Sequence, residues 1–410
     1  MKCLENGKVY LLHNGNAKYV TNNDEKTILF LGFDSNNLKN ITKHILSLYH
    51  DDNTSIPLIH QADNTPDEIM RVEILKISSI TKELIYDFQK IGTDIFGFVN
   101  PSTIKVKNRF LAFWGEFGEN IRVSWVNHTD YPYYSNERYY NITNTLDTIR
   151  CTDGSSQCLF AGQDPRLIFF DNKIILFYTN RLENPKYVRM GRADMIMNEE
   201  KKTIEVVKNY VCIHPPHHLN HLDQKNWSPF IYNNTLLLVI YVNPLTIVEM
   251  KDSQNAGYLE TTVISKSLFK EIPWSYGTLR GGTNAIYLDS HDMYLSLFHS
   301  RTNLQNGQNG RNTYFMGAYT FTAKKPFELI SVSPFPILHH WLYEGKWDYL
   351  TKRTIDYCPF PMSLSLEGDN TLLLTLGHND EYGYITKIKL NELLSSMMFL
   401  GDVNSSNRDQ

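Results

Sequence analysis

A repeated β-hairpin pattern constrains the fold of this chain more than any other feature of its sequence. Each copy is a short run of β-branched or aromatic residues, a polar turn with Asn, Asp or Gly, and a second such run. The five copies are STIKVKNRFLAFWGEF (102–117), RLIFFDNKIILFYT (166–179), PFIYNNTLLLVIYV (229–242), NAIYLDSHDMYLSLFHS (284–300) and MSLSLEGDNTLLLTLG (362–377). Their starts recur at intervals of roughly 56 to 77 residues, which is typical of a repeat architecture.

These hairpins predict an all-β fold, a five-bladed β-propeller with an N-terminal α/β elaboration. In a propeller the first strand of each four-stranded blade runs along the central axis, so polar residues at the blade starts converge on one pocket. The alternative is a sandwich of five unrelated hairpins. The predicted domains are an elaboration packed on the propeller (1–91), with a helix near 37–50, the propeller itself (92–395) and a C-terminal tail (396–410).

The composition excludes several classes of protein. The 410 residues include 25 Tyr and 21 Phe and are only 20% charged, which leaves ample apolar material for a core. A net charge of −4, with acids and bases interspersed, argues against nucleic acid or anionic lipid as a partner. Because the chain has neither a long apolar run nor a signal-peptide pattern, we expect a cytoplasmic protein without a membrane span.

The cysteines and histidines give little reason to expect a metal. Five scattered cysteines, none in a C-x-x-C pair, predict free thiols. The segment HPPHHLNHLD (214–223) contains four histidines at a spacing that is compatible with a metal site. Since Pro residues interrupt the segment, it is interpreted as a loop that lines the pocket, and no metal is predicted.

Three polar residues stand out because of their positions beside strands. Asp164 lies directly before Pro165 and an apolar strand, where a rigid turn would hold its carboxylate at the mouth of the hairpin. A carboxylate held in this way can act as a general acid. Asn100 and Asp380 occupy comparable places, and each of the three is also a common turn residue when considered separately.

Taken together and in order, the motifs resemble a known family. They are VNPS (99–102), QDPR (163–166), a K-N-x-x-P-F segment (225–230), GGT (281–283), a strand that ends in His299, MGAYTF to SPFPI (316–337) and LGHND (376–380). This order is similar to that of glycoside hydrolase family 130, which contains inverting β-mannoside phosphorylases and hydrolases. It also resembles the related β-1,2-mannosyltransferase/phosphorylase family. The likeness spans about residues 92–395 and includes all five predicted blade starts.

The resemblance implies roles for particular residues, and it implies no cofactor. Asp164 would be the catalytic acid, whose proton reaches the glycosidic oxygen through a sugar hydroxyl. The residues expected to bind the sugar are Asn100, Arg166, Asp380, Trp227 and Tyr382. For Trp227 and Tyr382 the expected contact is stacking on a pyranose ring, and core packing is the alternative.

Basic residues near the predicted pocket are candidates for binding phosphate or a donor. They are Lys225, Arg280, His299, Arg189 and Arg192. Arg280 precedes two glycines, so that backbone N–H groups and a guanidinium can face one anion. The alternative is that Arg280 pairs with an acidic neighbour.

One departure from the family affects the predicted reaction. The family's phosphorylases fix inorganic phosphate with a basic residue, which Lys225 matches, and with an Arg, where this chain has Val242 or Asn243. The prediction is therefore an enzyme acting on a sugar or oligosaccharide, with transfer from a nucleotide-sugar or sugar phosphate ahead of phosphorolysis and hydrolysis. The alternatives are a non-catalytic propeller that binds glycan or protein, and a furanosidase-type hydrolase with three carboxylates in its pocket.

Overall fold

The structure is a computed structural model of the 410-residue chain, and it forms two compact units. It describes residues 10–13, 16–19, 27–30, 55–61, 70–76, 84–91, 98–106, 109–116, 120–126, 149–151, 162–180, 188–198, 203–220, 222–254, 257–274, 276–303, 312–337, 339, 342, 347–348, 353–354, 358–380 and 382–401. The first unit comprises Met1–Ile85, Arg301–Tyr314 and Leu338–Cys358, and the second comprises Tyr86–Ser300, Phe315–Ile337 and Pro359–Gln410.

The first unit contains short antiparallel strands. Strand β1 (Tyr10–His13) pairs with β2 (Asn16–Tyr19). Strands β3 (Thr27–Phe30), β4 (Ser55–Gln61) and β5 (Met70–Lys76) form a sheet in the order β3-β5-β4. The helix predicted near 37–50 lies outside the described residues.

The second unit is built from antiparallel sheets that each begin with a hairpin. The strands of its first part are β6 (Ile85–Ile91), β7 (Phe98–Val106), β8 (Arg109–Glu116), β9 (Asn120–Val126), β10 (Ile149–Cys151), β11 (Gly162–Phe170), β12 (Lys173–Asn180), β13 (Arg189–Asn198), β14 (Thr203–His214), β15 (Ser228–Tyr232), β16 (Thr235–Tyr241), β17 (Thr246–Asp252) and β18 (Tyr258–Lys266). Strands β7–β9, β11–β14 and β15–β18 are each consecutive antiparallel sets, and a short parallel pairing of β14 with β18 joins the last two sets.

The remaining strands continue this arrangement. They are β19 (Thr278–Gly281), β20 (Ile286–Leu288), β21 (Met293–Asn303), β22 (Asn312–Thr322), β23 (Leu329–Val332), β26 (Pro359–Glu367), β27 (Thr371–His378), β28 (Tyr382–Lys389) and β29 (Met398–Phe399), with helix α1 (Leu390–Ser396) before β29. Strands β24 (Trp347–Asp348) and β25 (Arg353–Thr354) belong to the first unit, where they pair with each other. One sheet has the order β19-β21-β22-β23-β29, with β20 also on β21, and another has the order β26-β27-β28-β6. Among the described residues, no helix has the length and apolarity to span a membrane.

The predicted hairpins are present, and the expectation of a mostly β chain is confirmed. Two of their turns show why the sequence forms them. Asp171 and Asn172 have φ of 51° and 56°, and Asn233 and Asn234 have φ of 45° and 56°. A two-residue turn with positive φ at both central residues matches the twist of the flanking strands, and Asn and Asp tolerate that backbone better than other side chains.

Three of the hairpins share one register. The ladders of β7 and β11 are interrupted near their starts and resume at the pairs Ser102 with Phe113 and Arg166 with Phe177. The ladder of β15 begins at the pair Ser228 with Val239. The same number of residues separates the partners in all three pairs. Residues at equal distances before Ser102, Arg166 and Ser228 therefore occupy equivalent positions in their hairpins.

Contacts between neighbouring hairpins run in a closed order. Hydrogen bonds make four of the links, and they are Leu167 N–H to Ser102 Oγ (3.2 Å), Thr103 N–H to Ser363 Oγ (2.9 Å), Ala285 N–H to Pro229 O (2.9 Å) and Asn284 Nδ2 to Leu364 O (2.9 Å). A shared apolar core makes the fifth link, where Ile168 of β11 packs with Trp227 and Leu238 of the next hairpin. The starts of β7, β11, β15, β20 and β26 are thus neighbours in turn.

Candidate functional site

Three polar side chains from separate hairpins meet in one cluster. Asn100 Nδ2 donates a hydrogen bond to Asp164 Oδ1 at 2.8 Å, and Asp380 Oδ1 lies 3.4 Å from the same nitrogen. An amide carries two N–H groups, so a single Asn can hold two carboxylates. Asn100 is buried, Asp164 is half-buried and Asp380 is exposed, so the cluster opens to solvent on its carboxylate side.

An unusual backbone conformation places these side chains. Asn100, Asp164 and Asp380 have φ of 49°, 53° and 53°, in the left-handed region that most L-residues avoid. In β7 and β11 the ladder skips from Val99 to Ser102 and from Gln163 to Arg166, which is a β-bulge at the left-handed residue and its Pro. Because a bulge turns a side chain out of the normal alternation, it directs Asn100 and Asp164 toward each other. Backbone strain of this kind is concentrated at functional sites.

Gly377 of β27 makes room for the Asn100 amide. A Cβ at Gly377 would overlap the Asn100 side-chain oxygen and would lie 3.0 Å from the Asn100 Cα. No side chain other than hydrogen therefore fits at this position without displacing Asn100.

Arg166 supports Asp164 from within the protein. Its side chain is fully buried, with Nη1 donating to the Asp164 carbonyl oxygen at 3.0 Å and Nε donating to the Gly282 carbonyl oxygen at 2.6 Å. Burial lowers the pKa of Arg166 to about 10, and the Asp164 carboxylate opposes this shift, so the guanidinium stays charged at neutral pH. Its Nη2 is buried and has no hydrogen-bond partner among the described residues.

His299 lies at the positively charged side of the site. Its Nδ1 is 2.7 Å from the Gly281 carbonyl oxygen, which can only accept, so we place the ring proton on Nδ1. Burial, and then the charges of Arg166, Arg280 and Lys225, hold the pKa of His299 well below its usual 6.5, although the bond to Gly281 opposes them. His299 is therefore neutral at pH 7, and the three cations lie close enough to affect it.

The lowered pKa of His299 predicts a pH-dependent stability. Between the pKa of folded His299 and the value of ~6.5 in the unfolded chain, the unfolded state binds more protons. The stability that neutral His299 contributes to the folded protein is complete above its pKa in the unfolded chain. It is lost as the pH falls toward the pKa of His299 in the folded protein. We expect the melting temperature to fall between about pH 7 and about pH 5, and we expect His299→Gln to reduce this slope, because Gln donates to Gly281 but does not titrate.

The matched control for this experiment is His218→Gln, since His218 is exposed. It should leave the slope of melting temperature against pH unchanged. An unchanged slope in His299→Gln would contradict the prediction.

Two other predicted residues have different surroundings. Trp227 is only 1% exposed, packs in the apolar core beside Ile168, and donates its indole N–H to Gln224 Oε1 at 3.3 Å. In this position it presents no face to a sugar. Tyr382 is half-buried at the start of β28, opposite His378 and near Asp380 in sequence, so it stays a candidate for a sugar contact.

Both arginines of the R-M-G-R segment bind protein groups. The buried Arg189 donates to the carbonyl oxygens of Val188, Asn220 and Leu222. These hydrogen bonds fix the backbone at Asn220 and Leu222, which precede Lys225 in the chain. Arg192 forms a two-pronged ion pair with Asp194, at 2.7 and 2.9 Å, and lies over the Tyr210 ring. The bonds named here join both guanidiniums to protein groups outside the Asn100–Asp164–Asp380 cluster.

The histidine-rich segment begins at the last residue of β14, and its place beside the predicted pocket stays a prediction. His217 and His218 are exposed in a short 3₁₀ helix, His217–Leu219, and His214 stacks on Tyr258 with ring centroids 5.4 Å apart. His221 lies outside the described residues.

Val242 and Asn243, which the sequence analysis compared with a phosphate-binding Arg, both serve the packing of the fold. Val242 is fully buried, and the Asn243 side chain both donates to and accepts from the backbone of Lys270, at 2.7 and 3.0 Å. Neither residue supplies a cation at this place.

Sequence reasoning missed Asn226. This residue has φ of 62° and is 2% exposed, and it stands at the same distance before its hairpin as Asn100 and Asp164 do. The equal spacing of the three hairpins was the available signal.

Comparisons with known proteins give matches among solved structures only. No family model and no curated protein matches the chain. The solved structures it resembles include a glycosyl hydrolase from Bacteroides ovatus (15% identity, TM-score 0.45, covering 72% of this chain and 85% of that one). Others are a β-1,2-mannobiose phosphorylase from Listeria innocua (14%, 0.42, 82% and 98%) and a GDP-Man-dependent mannosyltransferase from Leishmania mexicana (12%, 0.42, 75% and 91%). Likeness at this level does not identify an activity.

Proposed function

We propose that this protein is an enzyme that makes or cleaves β-mannosidic bonds with inversion, and that its main reaction is glycosyl transfer from a nucleotide-sugar or sugar phosphate. The observation that carries the proposal is the cluster of Asn100, Asp164 and Asp380. A turn residue needs no partner from a distant segment. These three side chains come from separate segments of the chain, and the amide of Asn100 holds the carboxylates of the other two. Convergence of polar groups with strained backbones favours a site that binds and transforms a ligand.

Each member of the cluster has a proposed role. In transfer, the acceptor hydroxyl attacks C1 as the phosphate leaves, and its proton passes through a sugar hydroxyl to the Asp164 carboxylate. In cleavage the same path runs in reverse, and Asp164 returns the proton to the glycosidic oxygen. Asn100 and Asp380 bind hydroxyls of the same sugar, and the half-buried Tyr382, two residues after Asp380, stacks on its pyranose ring. Arg166 is a positioning residue, because it holds the backbone carbonyl of Asp164 and keeps its charge at neutral pH.

The cations near His299 support an anionic leaving group. Lys225 and Arg280 are exposed, and their charge reaches the neutral His299 from positions next to Asn226 and Gly281. Cations placed where negative charge develops stabilise the transition state, as a departing phosphate or nucleoside diphosphate requires. Transfer ranks ahead of phosphorolysis because Val242 or Asn243 stands where the resembled phosphorylases have the Arg that fixes inorganic phosphate.

The proposed architecture is a five-bladed β-propeller over residues 92–395, with residues 1–91 as an N-terminal elaboration and 396–410 as a tail. The closed order of contacts among the starts of β7, β11, β15, β20 and β26 supports this count, since each start begins one hairpin.

The test of function is an incubation of the protein with GDP-mannose or mannose 1-phosphate and with mannose or mannobiose as acceptor. We expect release of GDP or phosphate together with a new β-mannoside. Lys225→Gln should raise KM for the phosphate-bearing donor by about tenfold, because it removes one charge-assisted contact. Lys266→Gln, at an exposed lysine of β18, is the matched control and should leave KM unchanged.

The alternative function predicts a different result. A non-catalytic propeller would release no GDP, phosphate or mannose from any of these substrates and would still bind glycans on an array. That combination would contradict the proposal.

A further inference from the structure

We infer that Asn226 is a further ligand-binding residue, whose side-chain carbonyl accepts a hydrogen bond from a hydroxyl of the bound sugar. The inference rests on the proposed function, because it names a sugar contact in the same site.

The backbone of Asn226 matches that of the cluster residues. Asn226 has φ of 62° and lies two positions before Ser228, which begins the β15–β16 ladder. Asn100 and Asp164 have the same conformation at the same place before hairpins of equal register. In those two hairpins the side chains of the left-handed residues meet each other in a hydrogen bond. The third equivalent position is therefore expected to point the same way.

The side-chain oxygen of Asn226 has no hydrogen-bond partner among the described residues. Asn226 is 2% exposed, and its Oδ1 is buried without a hydrogen-bond donor among the described residues. Buried carbonyl oxygens are almost always paired, so an unpaired one in a strained backbone suggests that the donor comes from a ligand.

The surroundings place Asn226 beside the groups already assigned to the site. The backbone carbonyl oxygen of Asn226 lies so close to Gly281 that a Cβ at Gly281 would overlap it. Gly281 accepts the hydrogen bond of His299, and the next residue, Gly282, accepts that of Arg166. Asn226, His299 and Arg166 are therefore joined through the Gly281–Gly282 step.

Arg166 provides a second unpaired group of opposite character. Its Nη2 is a buried donor without a partner among the described residues, whereas Asn226 Oδ1 is a buried acceptor. A hydroxyl both donates and accepts, so a sugar hydroxyl is able to satisfy both atoms. Inorganic phosphate has no pyranose hydroxyl, so it leaves this contact of Asn226 Oδ1 unmade.

This difference in chemistry supplies the experiment. The affinities of mannose 1-phosphate and of inorganic phosphate are measured by calorimetry for the wild type, Asn226→Gly and the control Asn234→Gly. Gly accepts positive φ, so both substitutions keep the backbone, and Asn234 is an exposed turn residue of the same hairpin with φ of 56°. We expect Asn226→Gly to weaken mannose 1-phosphate about tenfold, with phosphate unchanged and Asn234→Gly unchanged for both.

Every other pattern would overturn the inference. Equal weakening of both probes would indicate a structural role, and so would a melting temperature reduced well beyond that of Asn234→Gly. Unchanged affinity for mannose 1-phosphate would remove Asn226 from the site, as would a wild type that binds neither probe. A wild type that binds mannose 1-phosphate but turns over no substrate would contradict the proposed enzyme, and the affinities would still decide the role of Asn226.

Discussion

Asp164→Asn is expected to lower kcat by about 100-fold or more while the protein folds and melts like the wild type. An amide can neither take up nor give up the proton that Asp164 is proposed to transfer. The new side chain can still accept the hydrogen bond of Asn100 through its oxygen, and Asn tolerates the left-handed φ of 53°. The loss should appear in kcat more than in KM, because the sugar is still held in its ground state.

Asp171→Asn is the matched control for this substitution. Asp171 has φ of 51° in the turn of the same hairpin, and its side chain is exposed. The same exchange there should leave both kcat and melting temperature unchanged. Normal melting of Asp164→Asn together with normal turnover would remove Asp164 from the mechanism.

Gly377→Ala is expected to produce the second largest loss, about tenfold or more in kcat/KM, which corresponds to ~1.4 kcal/mol or more. The added methyl group would overlap the side-chain oxygen of Asn100 and lie 3.0 Å from its Cα. Relief of this overlap requires Asn100 to move away from Asp164, which breaks the 2.8 Å hydrogen bond that joins the cluster. Gly401→Ala is the control, because a Cβ there meets its nearest neighbour at 3.9 Å.

A double-mutant cycle with Asn100→Gly tests whether Gly377 acts through Asn100. If it does, the two losses will not add, because most of the clash disappears with the Asn100 side chain. Additive losses in kcat/KM would show that Gly377→Ala damages the protein by another route.

The sequence predicted those parts of the site that depend on short segments. Asn100-Pro101, Asp164-Pro165 and Asp380 were recognised from their places beside apolar strands, and the structure brings the three polar side chains together. The sequence did not predict the surroundings of Trp227, Arg189 and Arg192. An indole or a guanidinium looks the same in a sequence whether it faces solvent or another sheet.

The hairpins and their turns were determined by the sequence itself, because alternating apolar residues and Asn or Asp with positive φ act over neighbouring positions only. The tertiary structure decided which polar groups end without partners. Trp227 is in the core because β11 and β16 pack around it, and Arg166 is buried because Gly282 lies within its reach. Asn226 has an unpaired oxygen because neighbouring hairpins exclude water from it and supply no donor among the described residues. Burial and pairing of this kind depend on segments that are far apart along the chain, so they arise only when the sheets assemble.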